Sequence, residues 1–295
     1  MEYVCRDCPR NCGALRADDI TGGVCASPAL PRIARAAPHF GEEPCISGTR
    51  GAGTIFFTGC NLRCVFCQNR DISRTSVGKT VSVDELRGMM LRLRDEGVHC
   101  IDLVTPTHYA RAIEKALTGL ELGIPVVWNS SGYDSVETLK RMEGLVQVYM
   151  PDMKYMLSVP AARYSAAPDY PEVATAAIRE MFRQRGKYTM DDEGILTSGV
   201  LVRHLILPEQ EENSMQVIDF IEREFQPGDI LFSLMSQYTP ISGLERFPEL
   251  TGRVDAQTNR ALISYMRRCG ITDGYWQEPD SATVEMIPDF DGTGV

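Results

Sequence analysis

From Gly53 onward the chain repeats one pattern six times: a short apolar run without alternation, then a run with helical spacing. Strands without alternation are buried on both faces, and strands separated by helices pair in parallel, which demands a parallel sheet layered with helices. The expected strands cover residues 54–57, 100–105, 124–128, 145–150, 200–207 and 230–235. Six are too few for the eight-stranded barrel, so the expected fold is α/β, an open (β/α)6 partial TIM-like barrel of parallel strands with right-handed crossovers. Ser82-Val-Asp-Glu85 reads as a capping box opening a helix that ends at Gly97. Further helices are expected at 109–122, at 134–144 with Asp134 as cap, and at 171–185, 214–225 and 255–269. Residues 157–169 form a longer excursion.

The first fifty residues lie outside this repeat. Cys5, Cys8, Cys12 and Cys25 stand in C-x2-C-x3-C-x12-C among Pro and Gly turns, in a stretch too poor in apolar residues to fold around itself. A metal staple at this second metal site is physically reasonable, and zinc and a second iron–sulfur cluster both suit it. Unliganded thiols or a redox dithiol are the plainer alternative. Residues 33–51 read as an extended connector. The expected division is therefore 1–50 Cys-rich N-terminal extension and connector, 51–280 core, and 281–295 C-terminal tail, its end frayed.

The first strand ends at Thr58-Gly59 and delivers Cys60, Cys64 and Cys67 in C-x3-C-x2-C. Three thiolates at this spacing suit a 4Fe-4S cube, which usually takes four cysteines, and leave one iron open to a small molecule. Zinc usually pairs C-x2-C with a second pair further on. In parallel βα folds ligands gather at the carboxyl ends of strands, so the cysteine loop marks the active face. Strand two ends in Thr105-Pro-Thr107-His108-Tyr, where His108 is either a ligand contact or a helix cap. Strand three ends in Asn129-Ser-Ser131-Gly-Tyr, small amide and hydroxyl groups suited to a ribose or a carboxylate, or an ordinary turn. Strand four ends in Pro151-Asp152-Met-Lys154, whose acid and ammonium point to one side of an extended segment, as a reactive pair or a structural ion pair. Strand five carries Arg203 and His204, which alternate faces, so only one points inward. Gln237 and Tyr238 follow strand six at the expected substrate mouth.

Charge and cysteine usage bound the setting. The net charge of −10 over 295 residues, without a Lys/Arg block, argues for no nucleic acid and no membrane as partners. The N-terminal residues carry no secretory pattern, and no stretch approaches a membrane span. Ten cysteines at short spacings then favour metal ligation in a reducing, cytoplasmic setting.

The C-x3-C-x2-C loop after a first strand, with the aromatic Phe66 before its last cysteine, resembles the cluster loop of the radical S-adenosylmethionine (SAM) superfamily. Further segments are similar to its pyruvate formate-lyase activating enzyme-like group: Cys-Pro-Arg-Asn-Cys-Gly, Glu-Glu-Pro-Cys-Ile-Ser-Gly, Cys-Val-Phe-Cys-Gln-Asn, Thr-Pro-Thr-His-Tyr, Asp-Met-Lys-Tyr and Met-Ser-Gln-Tyr. The resemblance implies the same partial barrel. It implies a 4Fe-4S cluster whose open iron takes the amino and carboxylate groups of SAM, and reductive cleavage to a 5′-deoxyadenosyl radical that abstracts hydrogen from a substrate. It places SAM contacts at Phe66, Asn129 and Ser131, with Arg203 or His204 meeting the carboxylate. Many relatives carry an acidic Gly-Gly-Glu-Pro-like segment after strand two; this chain does not, so Thr105, Thr107 or His108 would substitute. Asp152-x-Lys154 is similar to the Asp-x-Lys of glycyl-radical activating enzymes, which implies catalytic roles for Asp152 and Lys154 and a glycine of a polypeptide partner as one substrate class. An external one-electron reductant is implied as well. The alternative is a non-catalytic iron–sulfur electron carrier or metal-dependent scaffold, which would need a fourth cysteine such as Cys45 or Cys100.

Overall fold

The computed structural model describes residues 2–18, 20–75, 77–277 and 288–295. The chain opens with the hairpin strands β1 (Tyr3–Val4) and β2 (Leu15–Arg16), followed by β3 (Arg32–His39), α1 (Pro44–Ser47), β4 (Ala52–Phe57) and α2 (Arg70–Ser73). Next come β5 (Lys79–Thr80), α3 (Val83–Asp95), β6 (Ile101–Val104), α4 (Ala110–Leu117), β7 (Val126–Ser130), α5 (Val136–Met142) and β8 (Val148–Pro151). The second half contains α6 (Ser158–Ser165), α7 (Tyr170–Arg185), β9 (Thr189–Met190), β10 (Leu196–Leu205), α8 (Glu211–Glu224), β11 (Leu231–Met235), α9 (Ala256–Arg268) and β12 (Gly274–Trp276).

All six expected strands are present, as β4, β6, β7, β8, β10 and β11, paired in parallel in that order. Two additions extend the sheet. β12 joins β11 in parallel, and β3, expected only as a connector, pairs antiparallel with β4 along its length. β12 and β5 remain at opposite ends of the strand order, so the sheet is an open partial barrel. The Cys-rich extension runs directly into it. No helix among the described residues is long and apolar enough to cross a membrane.

Period-2 side-chain alternation splits each strand between two buried faces, which is why the hydropathy does not alternate. Ile55, Phe57, Leu103, Trp128, Tyr149, Val202 and Phe232 pack outward against Leu86, Ile113, Leu139, Ile178, Ile218 and Leu262 of the helices. Ala52, Val127, Met150, Leu201 and Leu231 pack inward around Cys45 and Ile46 of α1. Helix α1 thereby fills the concave side near the amino ends of the strands. The capping box at Ser82 and Glu85 is formed as expected.

Three expectations are corrected. Ser135, not Asp134, caps α5, accepting from the Thr138 N–H. The excursion at 157–169 contains α6. The C-terminal end is docked rather than frayed: Ala36 N–H donates to Thr293 O at 2.9 Å, Gly292 N–H to Ala34 O at 3.1 Å, and Arg35 pairs with Asp291 at 3.0 Å. Phe290 meets Phe56 edge-on at 5.3 Å, so the end covers backbone of β3 that β5 leaves unpaired. The junction between core and tail, 278–287, lies outside the described residues.

Candidate active site

The cysteine loop sits where the first parallel strand ends. Thr58 ties the end of β4 down by donating from Oγ1 to Arg32 O and Val77 O at 3.0 and 2.8 Å. Gly59 then turns the chain with φ +84°, where a Cβ would stand 2.6 Å from Cys25 O, so only glycine passes between loop and extension. Beyond the turn, each thiol sulfur has a polar neighbour. Leu62 N–H lies 3.4 Å from Cys60 Sγ, Ser165 Oγ donates to Cys64 Sγ at 3.0 Å, and Ser73 Oγ is 3.5 Å from Cys67 Sγ. Phe66 is buried edge-on against Tyr238 at 6.2 Å.

Burial pushes the Cys60 thiol far above its ordinary pKa, and the charges of Cys64 and Cys67 push the same way. Burial also raises Cys64, while the nearby Lys154 ammonium opposes it. Thiols held this close together ionise together only against a compensating cation, which metal binding supplies. Among the described residues no three His, Cys, Asp or Glu side chains converge tightly enough for one metal ion. Three cysteines at C-x3-C-x2-C spacing on one loop, each sulfur beside a polar group, fit a cube in which each thiolate takes its own iron.

Beside the loop the concave face turns from apolar to charged. Arg203 reaches Asp152 Oδ1 through Nε at 3.1 Å, Glu42 at 2.9 Å and Glu43 at 3.6 Å through Nη1, and Asn129 Oδ1 through Nη2 at 2.7 Å. Lys154 Nζ pairs with the other oxygen of Asp152 at 2.5 Å. Burial works against the Asp152 carboxylate, but Lys154 and Arg203 outweigh it and hold its pKa below the ordinary value. Lys154 is raised: burial disfavours its charge, and Asp152, Cys64 and Cys67 more than restore it. Asn129 Nδ2 donates to Glu42 and Asp102, each at 3.3 Å. Asp102 is driven well upward by burial and then by the Glu42 charge, and its Oδ1 has no partner among the described residues. Asp152, Lys154, Asn129 and Arg203 thus meet in one network, joined by Glu42, Glu43 and Asp102, which the sequence reading missed. Their signals were an acid pair before the first turn of α1 and a single acid inside the buried run Cys-Ile-Asp-Leu-Val.

The remaining candidates divide. Thr105 ends β6 with φ +61°, a strained conformation for a β-branched residue, and its N–H donates to Asn129 O at 2.8 Å. Thr107 Oγ1 donates to Asp134 at 2.6 Å, and Ser130 Oγ donates to the other Asp134 oxygen at 2.5 Å, so Asp134 ties two strand ends together. Ser131 is half-buried beside them, accepting from Tyr133 N–H at 3.4 Å. His108 departs from both readings, since it neither caps a helix nor lines the charged network. It is buried with Nε2 2.8 Å from Thr58 O, and its carbonyl accepts from Arg16. His204 also departs, because alternation turns it outward, where its ring nitrogens meet Met153 O at 2.7 Å and Ser214 Oγ at 2.8 Å. Tyr238 donates to Leu250 O at 2.6 Å, and Gln237 accepts from Gln277 at 2.8 Å.

Comparison with known proteins bears on this arrangement. Residues 54–151, from β4 through β8, match the model of the radical SAM superfamily. An uncharacterized protein of Methanocaldococcus jannaschii is 30% identical over 226 residues, covering 73% of this chain and 61% of its own. The structure of Streptococcus suis SuiB bound to S-adenosylmethionine superposes with a TM-score of 0.51 at 13% identity, over 74% of this chain and 48% of that one. The likeness to SuiB is one of fold. This chain therefore spans about three fifths of the curated relative and about half of the solved one. With a cysteine loop of this spacing at the head of an open parallel barrel, residues 54–151 form a radical SAM superfamily domain, a family whose members use a 4Fe-4S cluster and S-adenosylmethionine.

Proposed function

We propose that the chain is a radical SAM enzyme in which Cys60, Cys64 and Cys67 hold the 4Fe-4S cluster. The observation that carries this reading is the gathering of three half-buried thiols, each beside a polar group, near Lys154 at the carboxyl end of the first parallel strand. When bound, the cluster and SAM together supply a 5′-deoxyadenosyl radical that takes hydrogen from a substrate. The protein's share is placement and exclusion of water. Phe66 and Tyr238 wall the cysteine loop, and Thr105, Thr107, Asn129 and Ser131 present amide and hydroxyl groups at adjacent strand ends. Arg203, held by three acids, is a fixed cation for the SAM carboxylate, with Asn129 beside it. Asp152 and Lys154 lie beside the cysteine loop and are the residues assigned to touch the substrate.

A glycine of a partner polypeptide is the proposed hydrogen donor, on the similarity of Asp152-x-Lys154 to activating enzymes, and a low-potential one-electron carrier is the proposed reductant. Ten unpaired cysteines suit a reducing cytoplasm. The electron-carrier alternative loses support from its own candidate ligands. Cys45 and Cys100 pack together at the amino ends of the strands, with Cys100 Sγ 3.6 Å from Ile46 O.

Electron paramagnetic resonance of anaerobically reconstituted, reduced protein tests this reading. SAM should shift the cluster signal, because it binds an iron that lacks a protein ligand, and the Cys60/Cys64/Cys67→Ala protein should lack the SAM-responsive signal. A spectrum indifferent to SAM overturns the proposal.

A further inference from the structure

The four cysteines of the N-terminal extension are not used by this chemistry, yet the fold gathers them. The β1–β2 hairpin sets Cys5 opposite Ala14, whose carbonyl accepts from Cys5 N–H at 2.9 Å. A turn closed from Asn11 N–H to Cys8 O at 3.0 Å presents Cys8 and Cys12. The Gly22–Ser27 loop folds Cys25 back onto them. Cys12 Sγ lies so near Gly23 that a Cβ there would stand 2.8 Å away. Cys8 is close enough to feel the charges of Cys5, Cys12 and Cys25.

Arg16 shows what this site must contain. It is only 1% exposed, with Nη2 on Cys25 Sγ, Nη1 on His108 O at 2.5 Å, the Tyr3 hydroxyl as a further side-chain partner, and Nε without a partner among the described residues. Among the described residues no carboxylate pairs with it; the nearby Asp7 is held by Arg111 at 2.9 Å and Arg141 at 3.3 Å. A buried guanidinium with no carboxylate partner is an uncompensated charge. Four metal-bound thiolates would supply the missing negative charge. Contact with the radical SAM loop favours an electron-carrying cluster over a structural zinc here.

The site is also built against the radical SAM loop. Arg10, between Cys8 and Cys12, donates to Asn61 O at 2.8 Å and to Ser165 O at 3.0 Å; Ser165 Oγ in turn donates to Cys64 Sγ. Arg63 donates to Val24 O at 2.8 Å from the other side. Cys25 O is the atom that a side chain at Gly59 would strike.

We propose that Cys5, Cys8, Cys12 and Cys25 hold a second iron–sulfur cluster that relays electrons to the cluster on Cys60, Cys64 and Cys67. This rests on the function proposed above. A low-potential carrier protein gives up one electron to the second cluster, which passes it to the first. There it enters the sulfonium bond of SAM, and methionine and the 5′-deoxyadenosyl radical are the products.

Metal analysis of anaerobically purified and reconstituted protein is the test. About eight irons per chain are expected in the wild type, and about four, with a reducible cluster signal insensitive to SAM, in the Cys60/Cys64/Cys67→Ala protein. Replacing exposed Cys12 by serine (Cys12→Ser) should remove the second signal without unfolding the chain. It should also lower the ratio of carrier-driven to dithionite-driven SAM cleavage by about tenfold or more. One zinc per chain, an iron-free triple variant, or an unchanged ratio overturns the proposal. A wild type with about four irons that still responds to SAM would overturn this inference alone and leave the radical SAM reading standing.

Discussion

Arg203 grips Asp152 through Nε at 3.1 Å while its Nη1 reaches across the concave face to Glu42 at 2.9 Å, joining a core strand to the N-terminal connector. All three are largely buried. Removing the cation leaves like charges facing one another. Arg203→Met should therefore destabilise the fold by about 3–5 kcal/mol. Arg203→Lys should recover only part of this, because an ammonium lacks the planar fork. Denaturant midpoints at unchanged slope check the order of the variants. Equal stability of wild type and Arg203→Met would contradict the network as drawn.

Asp152 and Lys154 separate cluster assembly from chemistry. Neither is a proposed iron ligand, so Asp152→Asn and Lys154→Met should retain the SAM-responsive cluster. Both should lose about 100-fold or more in turnover of the hydrogen-donor substrate, the scale for a positioned polar group at a reaction centre. Iron content with single-turnover kinetics reads the two effects apart. Loss of iron in both variants would instead make the pair structural.

Gly59 sets the spacing between extension and cysteine loop. Gly59→Ala drives a methyl against Ser27 Oγ and adds a left-handed non-glycine residue. The backbone conformation alone costs about 1–3 kcal/mol, and the clash adds to it. Reduced thermal stability and impaired iron uptake are expected together. Gly88→Ala, in open space within a helix, is the control and should be neutral or stabilising.

His204 gives the fold an acid-sensitive window. Burial, the largest influence, lowers its pKa from 6.5 to about 4; the Met153 carbonyl opposes this and the Lys154 charge adds to it. Above pH 6.5 neither folded nor unfolded chain protonates the ring, and it leaves stability unchanged. Between 6.5 and 4 the unfolded chain binds a proton that the folded one refuses, so stability falls as pH drops through this window. The loss by its lower end is on the order of 3 kcal/mol. His108, lowered to about 3 by burial and then Arg16, extends the fall further. Unfolding free energy measured from pH 7 to 4 should decline less steeply in His204→Asn than in the wild type. Parallel curves would contradict the assignment.

The parallel core was legible because six buried strands alternate with amphipathic helices, and side-chain period and register then follow. The sheet's edges were not. Gly274–Trp276 is three residues long, and Arg32–His39 contains Pro38 and little β-branched character, so neither advertises a strand. Helix α6 hides behind Pro160 and an N-terminus without a side-chain cap. The cysteine spacing marked the loop without help from the fold. The ends of β7 and β10 show where sequence stops. Asn129 and Arg203 can be assigned to strand ends from pattern alone, but their partners Glu42, Glu43 and Asp102 come from segments distant in sequence. His108 and His204 show the converse: each occupies a plausible position, yet tertiary packing aims its ring elsewhere.

Release of 5′-deoxyadenosine from SAM by reconstituted, reduced protein tests the central claim most directly. The wild type should form it together with methionine in equal amounts, and the Cys60/Cys64/Cys67→Ala protein should form neither. A fully loaded wild type that leaves SAM intact under strong reductant, with candidate glycine-bearing polypeptides present, would contradict the account.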